Sequence, residues 1–110
     1  MNTIIENLTK DYFTAFANKD ESNLYRMFNE NVELVDWEVA VSGRDAVMKN
    51  NHDLFKSVKE IKITPALIAV YGTTSMSKIL VEVDNVKLNV VDIVTFDSEG
   101  KIIKIEAYKQ

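Results

Sequence analysis

The stretch Val86-Lys87-Leu88-Asn89-Val90-Val91-Asp92-Ile93-Val94-Thr95-Phe96 decides how this chain is read. Taken with period two, it is a strand with two unlike faces. One face carries Val86, Leu88, Val90, Asp92, Val94 and Phe96, and the other carries Lys87, Asn89, Val91, Ile93 and Thr95. The first face is apolar except at Asp92. A carboxylate in such a row is costly unless it is paired, hydrogen-bonded or protonated. If the face lines a core or a pocket, Asp92 has a raised pKa and can donate a hydrogen bond as a neutral acid. If it lies at an open sheet end, Asp92 stays solvated. The pattern alone leaves both readings open.

Outward from this strand the chain reads as more strands. Asp84-Asn85 makes a tight hairpin turn that joins it to residues 75–83, where Ile79, Val81 and Val83 share a face. Residues 58–70 hold Ile61, Ile63, Leu67, Ile68 and Val70; Pro65 removes a ladder donor, so that strand is bulged or at an edge there. Downstream, Asp97-Ser98-Glu99-Gly100 is a turn in which Gly100 supplies a positive φ. Residues 101–109 close the chain with Ile103, Ile105 and Ala107 on one side.

The first half is mainly helical. Residues 3–18 place Ile5, Leu8, Tyr12, Ala15 and Phe16 in one stripe, with Thr3 and Glu6 at capping-box spacing. Tyr12 points inward, and a buried phenol usually finds a partner. Asp20 caps a short second helix to about Asn29, with Leu24, Met27 and Phe28 inside. Asn29-Glu30-Asn31 reads as a turn, followed by a strand, Val32 to Trp37, that ends its inner row on a second carboxylate, Asp36. Ser42 and Asp45 have capping-box spacing for a third helix, whose inner face is Val47, Asn51, Leu54, Phe55 and Val58. Asn51 is polar at the centre of that face. It either lines a cavity or bonds a backbone carbonyl.

Composition narrows the function classes. The chain has 110 residues, which fits one domain over 1–110 with a single core. Hydrophobic residues make up 46%, with three Gly and one Pro, as in an ordered globular chain. The net charge of -4 gives no reason to expect nucleic acid or an anionic membrane as partner. Cysteine is absent, which excludes disulfides and thiol chemistry. The one histidine, His52, makes no metal motif, so no metal is expected. No membrane span or signal peptide is read, and a cytoplasmic protein is the expectation.

Helices and strands are segregated, so the expected class is α+β rather than a βαβ sandwich. A curved, mostly antiparallel sheet wrapped over an amphipathic helix leaves an apolar pocket. Tyr12, Asp36, Asn51 and Asp92 are the polar residues expected to point into it.

Several stretches resemble the nuclear transport factor 2-like superfamily, which includes SnoaL-like cyclases and ketosteroid isomerases. They are Tyr12-Phe13-Thr14-Ala15-Phe16, Asp20, Phe28 to Val32, Ser42-Gly43-Arg44-Asp45-Ala46-Val47, and Val91 to Ile102. The resemblance spans nearly the whole chain and implies a cone-shaped fold with the N-terminal helices on a strongly curved sheet. It is nearest to ketosteroid isomerase. That family uses a Tyr and a protonated Asp as an oxyanion hole and a second Asp as proton shuttle. Carried over residue by residue, Tyr12 matches the oxyanion tyrosine, Asp36 the general base and Asp92 the protonated acid. Phe28 and Asn51 stand where some members have supporting tyrosines. Trp37 replaces a proline, and the segment from Asp36 to Gly43 is shorter than in the isomerases.

The resemblance thus implies a cofactor-free, steroid delta-isomerase-like enzyme acting on a small apolar carbonyl or phenolic ligand, with related lyase or hydrolase chemistry as neighbours. Asn51, Trp37, Phe28, Phe55, Val90 and Val94 are the expected ligand-binding residues. The alternative is a small-ligand-binding or dimeric interaction module without turnover. A homodimer is expected by the same resemblance, with Val91, Ile93 and Thr95 on the outer face.

Overall fold

The structure, a computed structural model, describes residues 2–110. The elements run α1 (Asn2–Ala17), α2 (Glu21–Met27), β1 (Phe28–Val35), β2 (Ala40–Ser42), α3 (Arg44–Ser57), β3 (Ile61–Tyr71), β4 (Thr74–Val83), β5 (Val86–Phe96) and β6 (Ile102–Lys109). Three helices pack on one six-stranded sheet of order β2-β1-β6-β5-β4-β3. Every pairing is antiparallel except β1 with β6, so the sheet is mixed and does not close. The class is α+β.

Local sequence explains most of these elements. On α1 the buried residues are Ile5, Thr9, Tyr12, Phe13 and Ala15, with Leu8 and Phe16 partly buried, so the buried stripe is displaced toward the Thr9–Phe13 side of the apolar pattern. Thr3 lies inside the helix, so its capping box with Glu6 does not form. Asp20 does cap α2, accepting from the Asn23 N–H at 3.2 Å. Asp84 and Asn85 both have positive φ, 49° and 76°, as a two-residue hairpin with the twist of its strands requires. The β3–β4 register shifts between Pro65 and Leu67, where the proline has no N–H to give.

Three local expectations fail for physical reasons. Asn29-Glu30-Asn31 is not a free turn. It is an irregularity inside β1, held by the Asn31 N–H donating to Asn29 Oδ1 at 2.8 Å, while Asn29 Nδ2 donates to Asp97 at 2.9 Å. Ser42 does not cap α3. It is paired in β2, and Gly43, at φ 94°, takes the cap position without a side-chain bond. On β6 the register shifts between Thr95 and Phe96, and Ile102 turns fully inward while Ile103 is only partly buried. The inner row is therefore Ile102, Ile105 and Ala107 rather than one unbroken alternation.

The core lies between the helices and the inner sheet face, with Leu24, Phe28, Val32, Val47, Val94, Phe96 and Ile102 at 2% exposure or less. Each such side chain contributes roughly 1.5–3 kcal/mol by burial. The period-two reading of β5 holds: Val90, Asp92, Val94 and Phe96 are buried, and Val91 on the other face is exposed.

Candidate active site

Tyr12 is placed by α1. One turn earlier, the Thr9 hydroxyl donates to the Ile5 carbonyl at 2.8 Å and lies 2.7 Å from the Ser75 hydroxyl, which ties the helix to β4. The Tyr12 ring is held among Phe13, Phe16 and Phe28, with ring centroids 5.8, 6.1 and 6.3 Å away. Burial, and then the negative charge of Asp92, push the phenol well above its ordinary pKa. It therefore stays a neutral donor throughout the physiological range.

Asp92 lies mid-strand on the inner face of β5, opposite Ser77 on β4 and Ala107 on β6. It is 8% exposed. Desolvation, and then the charge of Asp36, raise its pKa to about 7. No hydrogen bond contributes to the shift of either Tyr12 or Asp92.

Asp36 follows β1 and makes the turn into β2. Its Oδ1 accepts from the Glu38 and Val39 N–H groups at 2.7 and 2.8 Å, and its own N–H donates to the Val39 carbonyl at 2.8 Å. Oδ2 takes no part in this turn. The charge of Asp36 acts on Asp92, and that of Asp92 on Tyr12.

All three line one cavity of about 730 Å³, within the range of small-ligand sites. Its buried end is mostly apolar, with Val47, Ile79, Val90 and Ile105 around Tyr12, Asn51 and Asp92. Its mouth is polar, with Glu38, Asp53 and Lys109, and Trp37 stands there with the Lys109 ammonium 5.4 Å from its ring. Asn51 is 3% exposed, and its Nδ2 has no partner among the described residues.

Among the expected ligand-binding residues, Asn51, Trp37 and Val90 line this cavity. Phe28, Phe55 and Val94 do not; they are core residues behind its wall. Phe28 backs the Tyr12 ring, and Phe55 packs edge-on against Phe16 at 5.0 Å. Sequence reading missed Leu34, Ile63 and Ile79 in the lining, and Ser77 beside Asp92. Ser77 shares the period-two row of Ile79 and Val81, so its side was readable, but a short polar residue in an apolar row draws no notice. His52 faces Glu21 on the surface at 3.0 Å. Among the described residues no group of three or more His, Cys, Asp or Glu is arranged to hold a metal ion.

Comparison with solved structures gives the fold its relatives. A protein provisionally named a SnoaL-like polyketide cyclase, from a Jannaschia species, superposes with a TM-score of 0.87 at 12% identity, over 100% of this chain and 88% of that one. One provisionally named a ketosteroid isomerase, from Kribbella flavida, gives 0.86 at 12% identity, over 99% and 79%. SalBIII, an epoxide hydrolase/cyclase-like enzyme of pyran ring formation in the polyether salinomycin, gives 0.84 at 22% identity, over 96% and 90%. No protein-family model and no curated protein matches the sequence. The fold is the cone-shaped one of nuclear transport factor 2-like proteins. Likeness at these identities extends to the fold and not to the reaction.

Proposed function

We propose, from a fold common to SnoaL-like cyclases and ketosteroid isomerase-like proteins, that this chain binds a small, largely apolar carbonyl compound and moves a proton next to its carbonyl. One observation carries the reading. A buried phenol and a buried carboxyl with a pKa of about 7 face the same cavity as a second, turn-held carboxylate.

The chemistry follows from the protonation states. The ligand's carbonyl oxygen accepts from the Tyr12 hydroxyl and from neutral Asp92. Asp36 takes a proton from the adjacent carbon, and the electron pair moves onto the oxygen as an enolate. Tyr12 and Asp92 hold that charge, and donors aimed at developing charge are each worth about 2.7–4 kcal/mol. The Asp36 acid then returns the proton to a different carbon, so the double bond shifts and nothing else is consumed. The test is the conversion of a β,γ-enone to its conjugated isomer, followed by ultraviolet absorbance. Turnover that Asp36→Asn abolishes supports the proposal. No turnover by the wild type, or full turnover by Asp36→Asn, overturns it.

A second reading is favoured by the two backbone N–H bonds at Asp36 Oδ1, which give that carboxylate a structural task. On this reading the cavity binds a phenol or ketone without changing it. Recovery of the bound ligand unaltered after long incubation distinguishes the two. The same proposal includes a homodimer through the outer sheet face, where Met76 pairs with Ile93 and Val91 with Tyr108.

A further inference from the structure

Ser77 is 1% exposed, and its hydroxyl has no hydrogen-bond partner among the described residues. A buried hydroxyl left unpaired is destabilising, so one without a partner calls for an explanation. Its surroundings offer few partners. On the inner face of β4 its neighbours along the strand are Ser75 and Ile79, and across the ladders it faces Ile68 on β3 and Asp92 on β5. Ile68 and Ile79 have nothing to offer, and Ser75 is engaged with Thr9. Asp92 is the remaining polar neighbour within the sheet, directly opposite in register. Side chains opposite one another in an antiparallel pair have Cβ atoms roughly 4.5–5.5 Å apart. The Asp92 carboxyl reaches across most of that gap, and a change of the Ser77 χ1 rotamer can bring its hydroxyl within hydrogen-bond distance of it.

We propose that Ser77 is a positioning residue for Asp92, its hydroxyl donating to the carboxyl oxygen turned away from the cavity. This rests on the function proposed above. A neutral carboxyl has one acceptor oxygen and one O–H. With Ser77 donating to the acceptor oxygen, the acid proton resides on the other, which faces the ligand. Ser77 does not line the cavity, so it acts through Asp92 and not on the ligand. Its place beside the Thr9–Ser75 contact sets it under α1, the helix that carries Tyr12. The oxyanion hole would then have its two donors oriented by neighbouring hydroxyls of one strand.

The proposal makes a prediction that a packing role does not. A donor to a carboxyl favours the charged form over the neutral one, so removing it raises the pKa. The experiment follows the Asp92 side-chain carboxyl by carbon-13 NMR across pH, in wild type, Ser77→Ala and Ser77→Thr. Ser77→Ala is expected to raise the Asp92 pKa by roughly one unit. Ser77→Thr keeps the hydroxyl and is expected to stay near wild type. An unchanged Asp92 titration in folded Ser77→Ala overturns the proposal. Should that variant not fold, Ser77→Cys, a near-isosteric weak donor, must raise the pKa in its place, and no rise there overturns the proposal equally. A second readout separates this proposal from the function beneath it. If Ser77→Ala moves the Asp92 pKa while Asp92→Asn still binds 2-naphthol as tightly as wild type, the positioning contact stands and the oxyanion reading fails.

Discussion

Asp92 links the stability of the molecule to pH, and the sign of the link is specific. Its folded pKa is about 7 against an ordinary 3.8. Between those values the folded chain keeps a proton that the unfolded chain releases. The stability this contributes is present at low pH and is lost as pH rises toward 7, to a total on the order of 4 kcal/mol. Asp84 and Asp97, whose pKa values are lowered by backbone and Asn29 hydrogen bonds, have the opposite sign and act only at lower pH. Urea unfolding at about pH 5 and about pH 8 is therefore expected to show a loss of about 2–3 kcal/mol in wild type. Asp92→Asn removes that loss, and an equal pH dependence in both proteins refutes the assignment. Carbonyl binding is expected to weaken over the same range, because ionised Asp92 no longer donates. Tyr12→Phe gives a different result. Its ring contacts with Phe13, Phe16 and Phe28 are kept, so the melting temperature stays close to wild type. Enone turnover falls roughly a hundred- to a thousandfold with the loss of one oxyanion donor. A small kcat change in that variant would remove Tyr12 from the chemistry.

Elements show what the sequence encodes openly and what it hides. The faces of β5, the Asp20 cap, the Asp84-Asn85 hairpin and the break at Pro65 all depend on local pattern, and all form as read. The β6 bulge was hidden, because an extra residue in a ladder is fixed by the partner strand and not by Ile102 or Ile103 themselves. The pairing of β2 overrides the capping preference of Ser42 in the same way. At the candidate site, period and resemblance brought Tyr12, Asp36 and Asp92 to one cavity, since face is a local property. Depth is not, and so the pattern could not show that Phe28, Phe55 and Val94 lie behind the cavity lining. Another contact no pattern could show is at Lys19. Its ammonium donates to the carbonyls of Phe55, Val58 and Lys59 where α3 ends and β3 approaches, at 2.9 Å for Phe55 and 3.2 Å for Lys59. The Phe55 carbonyl lies in the last turn of α3, where carbonyls have no partner within the helix, and a cation there also meets the negative end of the helix dipole. Lys19→Met is expected to destabilise the fold by about 2 kcal/mol, the scale of hydrogen bonds to a charged group. Denaturant titration measures it, and a change under about 0.5 kcal/mol, the range of ordinary surface substitutions, would mean the contact is not held in solution.

At the scale of the molecule, the sheet has one face toward the helices and one that no helix covers among the described residues. On that outer face the register sets Leu67, Lys78, Val91 and Tyr108 in one row and Ala69, Met76, Ile93 and Glu106 in the next. Leu67, Met76, Val91 and Tyr108 are 61, 40, 41 and 55% exposed. Scattered apolar residues on a surface need no explanation, but here exposed apolar side chains from four strands, with Lys78 and Glu106 among them, share one face, which makes it the candidate contact surface. The long edge strand β3 is interrupted by Pro65 and its bulge, which discourages growth of the sheet edge to edge. Face-to-face pairing of two copies is the proposed cover for this face, and it is expected to give a particle of twice 12.5 kDa in sedimentation. Val91→Lys places a charge at its centre and is expected to yield monomers with an unchanged circular dichroism spectrum. Val91 and Asp92 are neighbours whose side chains leave the strand in opposite directions. If pairing stiffens β5, the Val91→Lys monomer shifts the Asp92 titration although no contact of Asp92 has been altered. If the two faces are independent, Asp92 still titrates near 7 in the monomer. A wild-type protein that sediments as a monomer at micromolar concentration would remove the dimer and, with it, any such coupling.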